Sequence, residues 1–243
     1  QMNKIKKIII ASGGTGGHII PALSLYNFFA SKNYFVKLST DERGLSYIDN
    51  INEKNIKIID TSRILKSKKI QSIFKILLSV IKSFVFLFKY RPTFIIGMGG
   101  YSSFPVCFSA IILRIPLIIY ENNLCFGKAN KYLAPFANKI FVNYKEIEGI
   151  KSNYRGKIRV IGNILRKNIL AYEDHHKVDN YEKLNILVLG GSQAAKKFAE
   201  NLPNIFIDLK KSKIKIKVFQ QCLPEQSVKL RKIYDLNKIE NFI

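Results

Sequence analysis

Three short apolar runs in this chain each stop at a cluster of glycines. Ile8-Ile9-Ile10-Ala11 runs into Ser12-Gly13-Gly14-Thr15-Gly16-Gly17-His18, and Phe94-Ile95-Ile96 runs into Gly97-Met98-Gly99-Gly100-Tyr101-Ser102-Ser103. The third run, Asn185 to Leu189, stops at Gly190-Gly191-Ser192-Gln193. An uninterrupted apolar run of this length is the pattern of a parallel strand buried on both faces. Glycines directly after it let the backbone take positive φ and approach a ligand closely, while the free N–H groups of a following helix start favour a phosphate or diphosphate. The first turn fits neither the G-x-G-x-x-G dinucleotide fingerprint nor a P-loop, which needs Lys-Ser/Thr after the glycines. His18 stands at the same helix start and is a candidate base. Ligands of open α/β sheets bind beyond the carboxyl ends of the strands, so three such turns predict a site lined by glycine loops.

Further apolar runs at Tyr34 to Leu38, Ile56 to Ile59, Leu117 to Tyr120, Ile140 to Val142 and Ile158 to Ile161 alternate with helical stretches at Pro21 to Ala30, Pro105 to Leu113 and Lys128 to Ala137. That alternation predicts βαβ units and a doubly wound parallel sheet in an α/β fold. A polar stretch from Ala171 to Lys183 reads as a surface linker. Beyond it a strand over 185–189, a helix from Ala194 to Leu209 that Pro203 kinks or divides, a strand from Ile214 to Phe219 and a helix from about Glu225 to Tyr234 form a second unit. The expected domains are residues 1–164 and 165–243. Two or three strands are too few for a finished doubly wound sheet, so the second domain is expected to be incomplete.

Forty Lys and Arg stand against 17 Asp and Glu, a formal charge of +23. Such an excess attracts phosphate-bearing partners or an anionic membrane. Only eight of the basic residues are Arg, and the chain is crowded with Ile and Asn, so AT-rich coding explains part of the total. The distribution is more telling. No acid lies between Asp60 and Glu121, where Arg63, Lys66, Lys68, Lys69, Lys75, Lys82, Lys89, Arg91 and Arg114 fall. With no recognition helix or RNP-type aromatic motif, nucleic-acid binding is not expected. Cys107, Cys125 and Cys222 are scattered, which supports neither a disulfide framework nor a zinc site and fits a reducing cytoplasm. Glu173-Asp174-His175-His176 lies in the polar linker, so no metal and no cofactor are implied.

The apolar segment Ile73 to Phe88 is interrupted by Lys75 and Lys82 and, at 16 residues, falls short of the roughly 20 that span a bilayer as a helix. It is not expected to cross. Two readings compete: a core helix, or an amphipathic surface in the headgroup region with its lysines on anionic lipid.

Read together, Gly13-Gly14-Thr15-Gly16-Gly17-His18-Ile19-Ile20-Pro21-Ala22, Gly97-Met98-Gly99-Gly100-Tyr101, Glu121-Asn122-Asn123 with Gly127 and Asn130-Lys131-Tyr132-Leu133-Ala134, Gly162-Asn163-Ile164-Leu165-Arg166 and Gly190-Gly191-Ser192-Gln193 resemble, in order and spacing, the MurG family of membrane-associated N-acetylglucosaminyltransferases of bacterial peptidoglycan synthesis. The resemblance implies a GT-B glycosyltransferase with two Rossmann-like domains. It implies transfer, with inversion, of N-acetylglucosamine from UDP-N-acetylglucosamine to undecaprenyl-diphosphate-linked muramyl-pentapeptide (lipid I), giving lipid II. By the same resemblance, Thr15, Gly16, Gly17, Asn123, Arg166 and Ser192 match donor-contacting positions, with Thr15 to Gly17 alternatively serving the acceptor diphosphate. Ile243 matches a nucleotide-contacting position and His18 a candidate base. The family's apolar patch ringed by basic residues corresponds to the Ile73 to Phe88 region, which tips that segment toward membrane contact and places the protein peripherally on the cytoplasmic face of the inner membrane. Met98, Phe104, Asn122 and Ala194 depart from the usual Phe, Gly, Gln and Gly. The family also continues past the position of Ile243, so a non-catalytic remnant that binds only membrane or lipid acceptor is the alternative reading.

Overall fold

A computed structural model describes residues 6–59, 69–171 and 183–243, the side chains of Lys69 and of residues 192–194 excepted. Arg63, Lys66, Lys68 and the Glu173 to His176 run lie outside the described residues. The chain divides into two compact units, residues 1–172 and 173–243.

The first unit contains, in order, β1 (Lys7–Ala11), α1 (Gly16–Ser31), β2 (Phe35–Thr40), α2 (Glu42–Leu45), β3 (Ile56–Ile58), α3 (Lys69–Tyr90), β4 (Phe94–Gly97), α4 (Phe104–Ile112), β5 (Leu117–Glu121), α5 (Lys128–Leu133), β6 (Lys139–Val142), β7 (Ile158–Val160) and α6 (Lys167–Leu170). Its seven strands pair in parallel in the order β3-β2-β1-β4-β5-β6-β7. The strand order reverses between β1 and β4, the switch point at which doubly wound sheets bind ligands. Alternate side chains of β1 explain its unbroken apolar run. Ile8 and Ile10 pack with Ile19, Ala22 and Tyr26 of α1, while Ile9 and Ala11 pack with Leu87 of α3 and Val106 and Ala110 of α4. All four are fully buried, so a polar residue at any of them would lose its water on one face or the other.

The helix α3 corrects the length argument made from the sequence. It runs 22 residues, about 33 Å at 1.5 Å per residue, and its stretch Ile70–Tyr90 is long and apolar enough to cross a membrane by length and composition. Its polarity is reversed relative to an ordinary surface helix. Ser72, Ser79, Ser83 and Leu87 are the buried residues, whereas Ile70, Phe74, Leu77, Ile81, Val85 and Phe88 recur at spacings of three and four along the exposed side. Serines suit the inner face because α4 lies close: Ser109 Oγ donates across the helix pair to Val80 O at 3.0 Å. Ser83 and Ser79 return their hydroxyl protons to the carbonyls four residues back, both at 2.7 Å, so neither hydroxyl is stranded.

The second unit contains β8 (Leu184–Val188), α7 (Ser192–Lys211), β9 (Ile216–Gln220), α8 (Pro224–Leu236) and β10 (Glu240–Phe242). The strands form a parallel sheet in the order β10-β9-β8. Val188, Ile216 and Val218 make its core with Phe206 of α7 and Leu230 and Tyr234 of α8. The opposite face carries a cross-strand row, Leu187, Phe219 and Phe242, in which the phenylalanines stack at 5.0 Å and Leu187 is 65% exposed. Pro203 does not divide α7, which continues through it to Lys211.

Candidate active site

Two glycine loops meet at the switch point. Met98 N donates to Ala11 O at 2.7 Å, extending the ladder between β1 and β4, and Gly13 N donates to Gly99 O at 3.1 Å. Gly99 and Gly100 both have positive φ, +84° and +78°. A Cβ on Gly100 would stand 3.0 Å from the Gly13 backbone and 3.1 Å from the His18 ring, so conformation and space both demand glycine there.

Helix α1 starts at Gly16, two residues before His18, and so takes in the glycines ahead of the helical stretch Pro21 to Ala30. Thr15 is the N-cap, its side chain makes no capping bond, and the first turn holds no acid. The N–H groups of that turn and the positive end of the helix dipole therefore meet no acidic side chain from the helix's own first turn. Thr15 and Gly17 are exposed, and a Cβ on Gly17 would meet nothing within 4 Å, so the helix start is open to an incoming anion. Pro21 has no N–H for the carbonyl of Gly17, four residues back. That carbonyl instead accepts from Asn122 Nδ2 at 3.3 Å, which ties the loop after β5 to the glycine loop.

His18 is half-buried, and its Nδ1 lies 3.0 Å from Met98 O. A carbonyl only accepts, so Nδ1 donates and, in the neutral imidazole, Nε2 carries the lone pair. This is the arrangement a base requires.

The Glu121 carboxylate at the end of β5, the strand next to β4, is buried and receives four hydrogen bonds. Oε1 accepts from Asn123 N at 3.1 Å and Asn123 Nδ2 at 2.9 Å, and Oε2 from Gly127 N at 2.8 Å and Asn130 Nδ2 at 2.9 Å. Asn123 is thereby held in place by Glu121. A polar chain continues sideways: the Tyr120 hydroxyl donates to Asn143 Oδ1, and Asn143 Nδ2 donates to Asn122 O at 3.0 Å and to Asn163 Oδ1. Burial pushes the Tyr120 phenol above its ordinary value.

The structure thus brings Thr15, Gly16, Gly17, His18 and Asn123 to one end of the first sheet. Arg166 is the exposed N-cap residue of α6 in the same unit. Ser192 and Ile243 belong to the second unit. Ser192 opens α7 behind Gly191, which is the N-cap, and no acid lies in its first turn. Ile243 follows β10, and its carbonyl accepts from Arg231 Nη2 at 3.0 Å. Sequence reading gave no role to Asp41 or Arg43, and it quoted Glu121 and Asn130 only within a motif. Glu121, a lone acid closing the apolar strand Leu117–Glu121, carried an available signal, whereas Asp41, next to Glu42 after the mixed strand Phe35–Thr40, did not.

A family model, the glycosyltransferase family 28 N-terminal domain, matches residues 8–142. The chain belongs to glycosyltransferase family 28. Among curated relatives of this family 28 chain, the UDP-N-acetylglucosamine--N-acetylmuramyl-(pentapeptide) pyrophosphoryl-undecaprenol N-acetylglucosamine transferase of Pelagibacter ubique is 36% identical over 238 residues, covering 97% of this chain and 65% of the relative. The enzyme of the same name from Rickettsia canadensis is 37% identical over 237 residues, covering 95% and 65%. The chain therefore spans about two thirds of their length, 65%. Among solved structures, the Acinetobacter baumannii MurG is 25% identical with a TM-score of 0.72, covering 98% of this chain and 68% of that one. A UDP-GlcNAc 2-epimerase from Methanocaldococcus jannaschii, at 17% identity and a TM-score of 0.58, covers 97% and 72% and shares the fold alone. The family 28 match spans β1 to β6 and so contains both glycine loops that meet at the switch point.

Proposed function

We propose that this chain carries the acceptor side and part of the donor side of an inverting N-acetylglucosaminyltransferase of peptidoglycan synthesis. Its donor is UDP-N-acetylglucosamine and its acceptor is undecaprenyl-diphosphate-linked muramyl-pentapeptide, lipid I. The observation that carries this reading is His18, with its tautomer set by Met98 O, at an open helix start between two glycine loops. The names of the relatives support the substrates.

In this mechanism the first turn of α1 receives the acceptor diphosphate through the N–H groups of the exposed glycine loop. His18 Nε2 takes the proton of the acceptor hydroxyl as that oxygen attacks the anomeric carbon of the donor sugar. The bond from that carbon to the UDP oxygen breaks, its electron pair leaves with the diphosphate, and the sugar inverts. In the second unit, the start of α7 behind the Gly191 N-cap holds no acid in its first turn, so its backbone N–H groups suit the diphosphate of a nucleotide donor, and Ser192 matches a donor-contacting position of the family. Asn123, Arg166 and Ile243 complete the substrate contacts by their match to the family's motif positions. No cofactor or metal takes part.

The exposed stripe of α3 supports peripheral attachment to the cytoplasmic face of an anionic membrane. Lys75, Lys82 and Lys89 are exposed on the same helix, and a groove beside it is lined by Lys37, Lys57, Lys82 and Lys89 together with Ile81 and Val85. Apolar side chains at the acyl boundary with lysines at headgroup level are what an interfacial helix needs.

Calorimetric titration of the chain with UDP-N-acetylglucosamine and, separately, with a soluble lipid I analogue tests the reading. Binding of both is expected. Binding of neither would overturn it, and binding of the acceptor alone would favour the non-catalytic remnant.

A further inference from the structure

At the carboxyl end of β2, next to the glycine loop, Asp41 and Arg43 form a pair that the mechanism above leaves unused. Arg43 Nη2 donates to Asp41 Oδ2 at 2.5 Å, and the exposures are unequal: the Asp41 side chain is 6% exposed and that of Arg43 48%. Ser102, from the loop after β4, also donates to Asp41 Oδ2. The guanidinium carbon lies 5.1 Å from the centre of the Tyr101 ring. The cation is therefore held on one edge and beneath, while its hydrogen bonds to Asp41 and Ser102 both use Nη2.

The second observation is the other oxygen of Asp41. Oδ1 is buried and meets no side-chain donor, the Gly44 backbone N–H being the polar group beside it. It is pressed on the glycine loop so closely that a Cβ on Gly14 would stand 1.8 Å from it and 2.8 Å from Gly44 N. A buried carboxylate edge thus abuts the loop that offers its N–H groups to an anion. An unpaired charge there would repel that anion, and Arg43 is the described group that balances it.

We propose that Arg43 is a specificity-determining residue for the acceptor diphosphate, donating its half-exposed guanidinium edge to one phosphate while the glycine loop holds the other, with Asp41 and Tyr101 as its positioning residues. The inference rests on the function proposed above and deepens it. Arginine suits the task because its planar fork stays charged and binds phosphate oxygens two at a time, and the aromatic ring beneath fixes its plane. The Asp41 carboxylate contributes by orientation and by charge: it holds the fork, and its own negative charge makes the site depend on Arg43 more steeply than on an isolated surface arginine.

The test titrates the full chain with inorganic pyrophosphate, geranyl diphosphate and UDP, and compares Arg43→Gln, Arg43→Lys and the double variant Arg43→Gln/Asp41→Asn. The Arg43→Gln variant is expected to lose about tenfold or more in affinity for pyrophosphate and geranyl diphosphate, with UDP changed less than about twofold. The lysine variant recovers part of that loss, and so does the double variant, because removing the Asp41 charge removes the repulsion. Thermal melting of each variant guards against unfolding. Wild-type binding of pyrophosphate with an unchanged Arg43→Gln variant would overturn the role of Arg43 and leave the glycine-loop cradle standing. Loss confined to UDP would overturn the assignment to the acceptor. Failure of the wild type to bind either diphosphate probe would overturn the cradle and this inference together.

Discussion

His18 donates its Nδ1 proton to the carbonyl oxygen of Met98 across 3.0 Å, joining the helix start behind β1 to the loop behind β4. The bond leaves Nε2 as the ring's lone pair and holds the imidazole against Gly100. Replacing His18 with Gln should lower the rate of sugar transfer by about 10²- to 10⁴-fold, the usual worth of a positioned base, without changing affinity for UDP-N-acetylglucosamine. Steady-state kinetics with a soluble acceptor check this, and a loss below about threefold would remove His18 from the chemistry.

Gly14, in the loop, and Gly17, three positions on in the first turn of α1, should respond oppositely to a methyl group. At Gly14 the new Cβ collides with Asp41 and the Gly44 backbone, whereas at Gly17 it meets nothing within 4 Å. Gly14→Ala is expected to destabilise the first unit by about 1–3 kcal/mol, as overpacking does, and Gly17→Ala to stay within about 0.5 kcal/mol of wild type. Thermal or denaturant melting distinguishes them, and equal stability of the two variants would contradict the packing described.

Asp41 should make the first unit acid-sensitive. Burial opposes its ionisation, but the hydrogen bonds from Arg43 and Ser102 and the charge of Arg43 outweigh burial and hold the carboxyl below its ordinary value. A depressed folded-state value stabilises the fold above the unfolded value, about 3.9, and that contribution is lost as pH falls through the lower folded value. Melting of wild type and Asp41→Asn between pH 7 and pH 3 should show the stability gap closing only below about pH 4. A gap that stays constant across that range would contradict the assignment.

The two faces of α3 should separate membrane binding from folding. Changing Phe74, Leu77 and Phe88 to Ser removes exposed apolar area and should abolish flotation with anionic liposomes while leaving the melting temperature nearly unchanged. Changing Lys75, Lys82 and Lys89 to Gln should weaken binding by about 1 kcal/mol per lysine at low salt and by less as salt rises. Ser83→Leu, on the buried face against α4, should instead unfold or destabilise the unit. Flotation that survives the serine changes would remove the membrane role.

Much of this was legible in the chain because burial on both faces leaves a pattern. Ile8 to Ala11 has no water on either side, and the glycines that follow mark where a backbone must come close. The reversed polarity of α3 was not legible, because no local pattern says that Ser72, Ser79 and Ser83 form the inner face, small enough for α4 to approach. The helix start at the glycine loop was legible, but not why Pro21 is tolerated inside α1, which only Asn122 reaching the orphaned carbonyl of Gly17 reveals. Asp41 and Arg43 lie in a short polar stretch whose partners, Gly14 and Ser102, are distant in sequence, so no local pattern pointed to them.

The most direct measurement is transfer of radiolabelled N-acetylglucosamine from its UDP donor to a soluble lipid I analogue by wild-type chain and by His18→Gln. Label should reach the acceptor with inverted configuration in the wild type and fall at least a hundredfold in the variant, whereas no transfer by the wild type together with no binding of UDP would contradict the account.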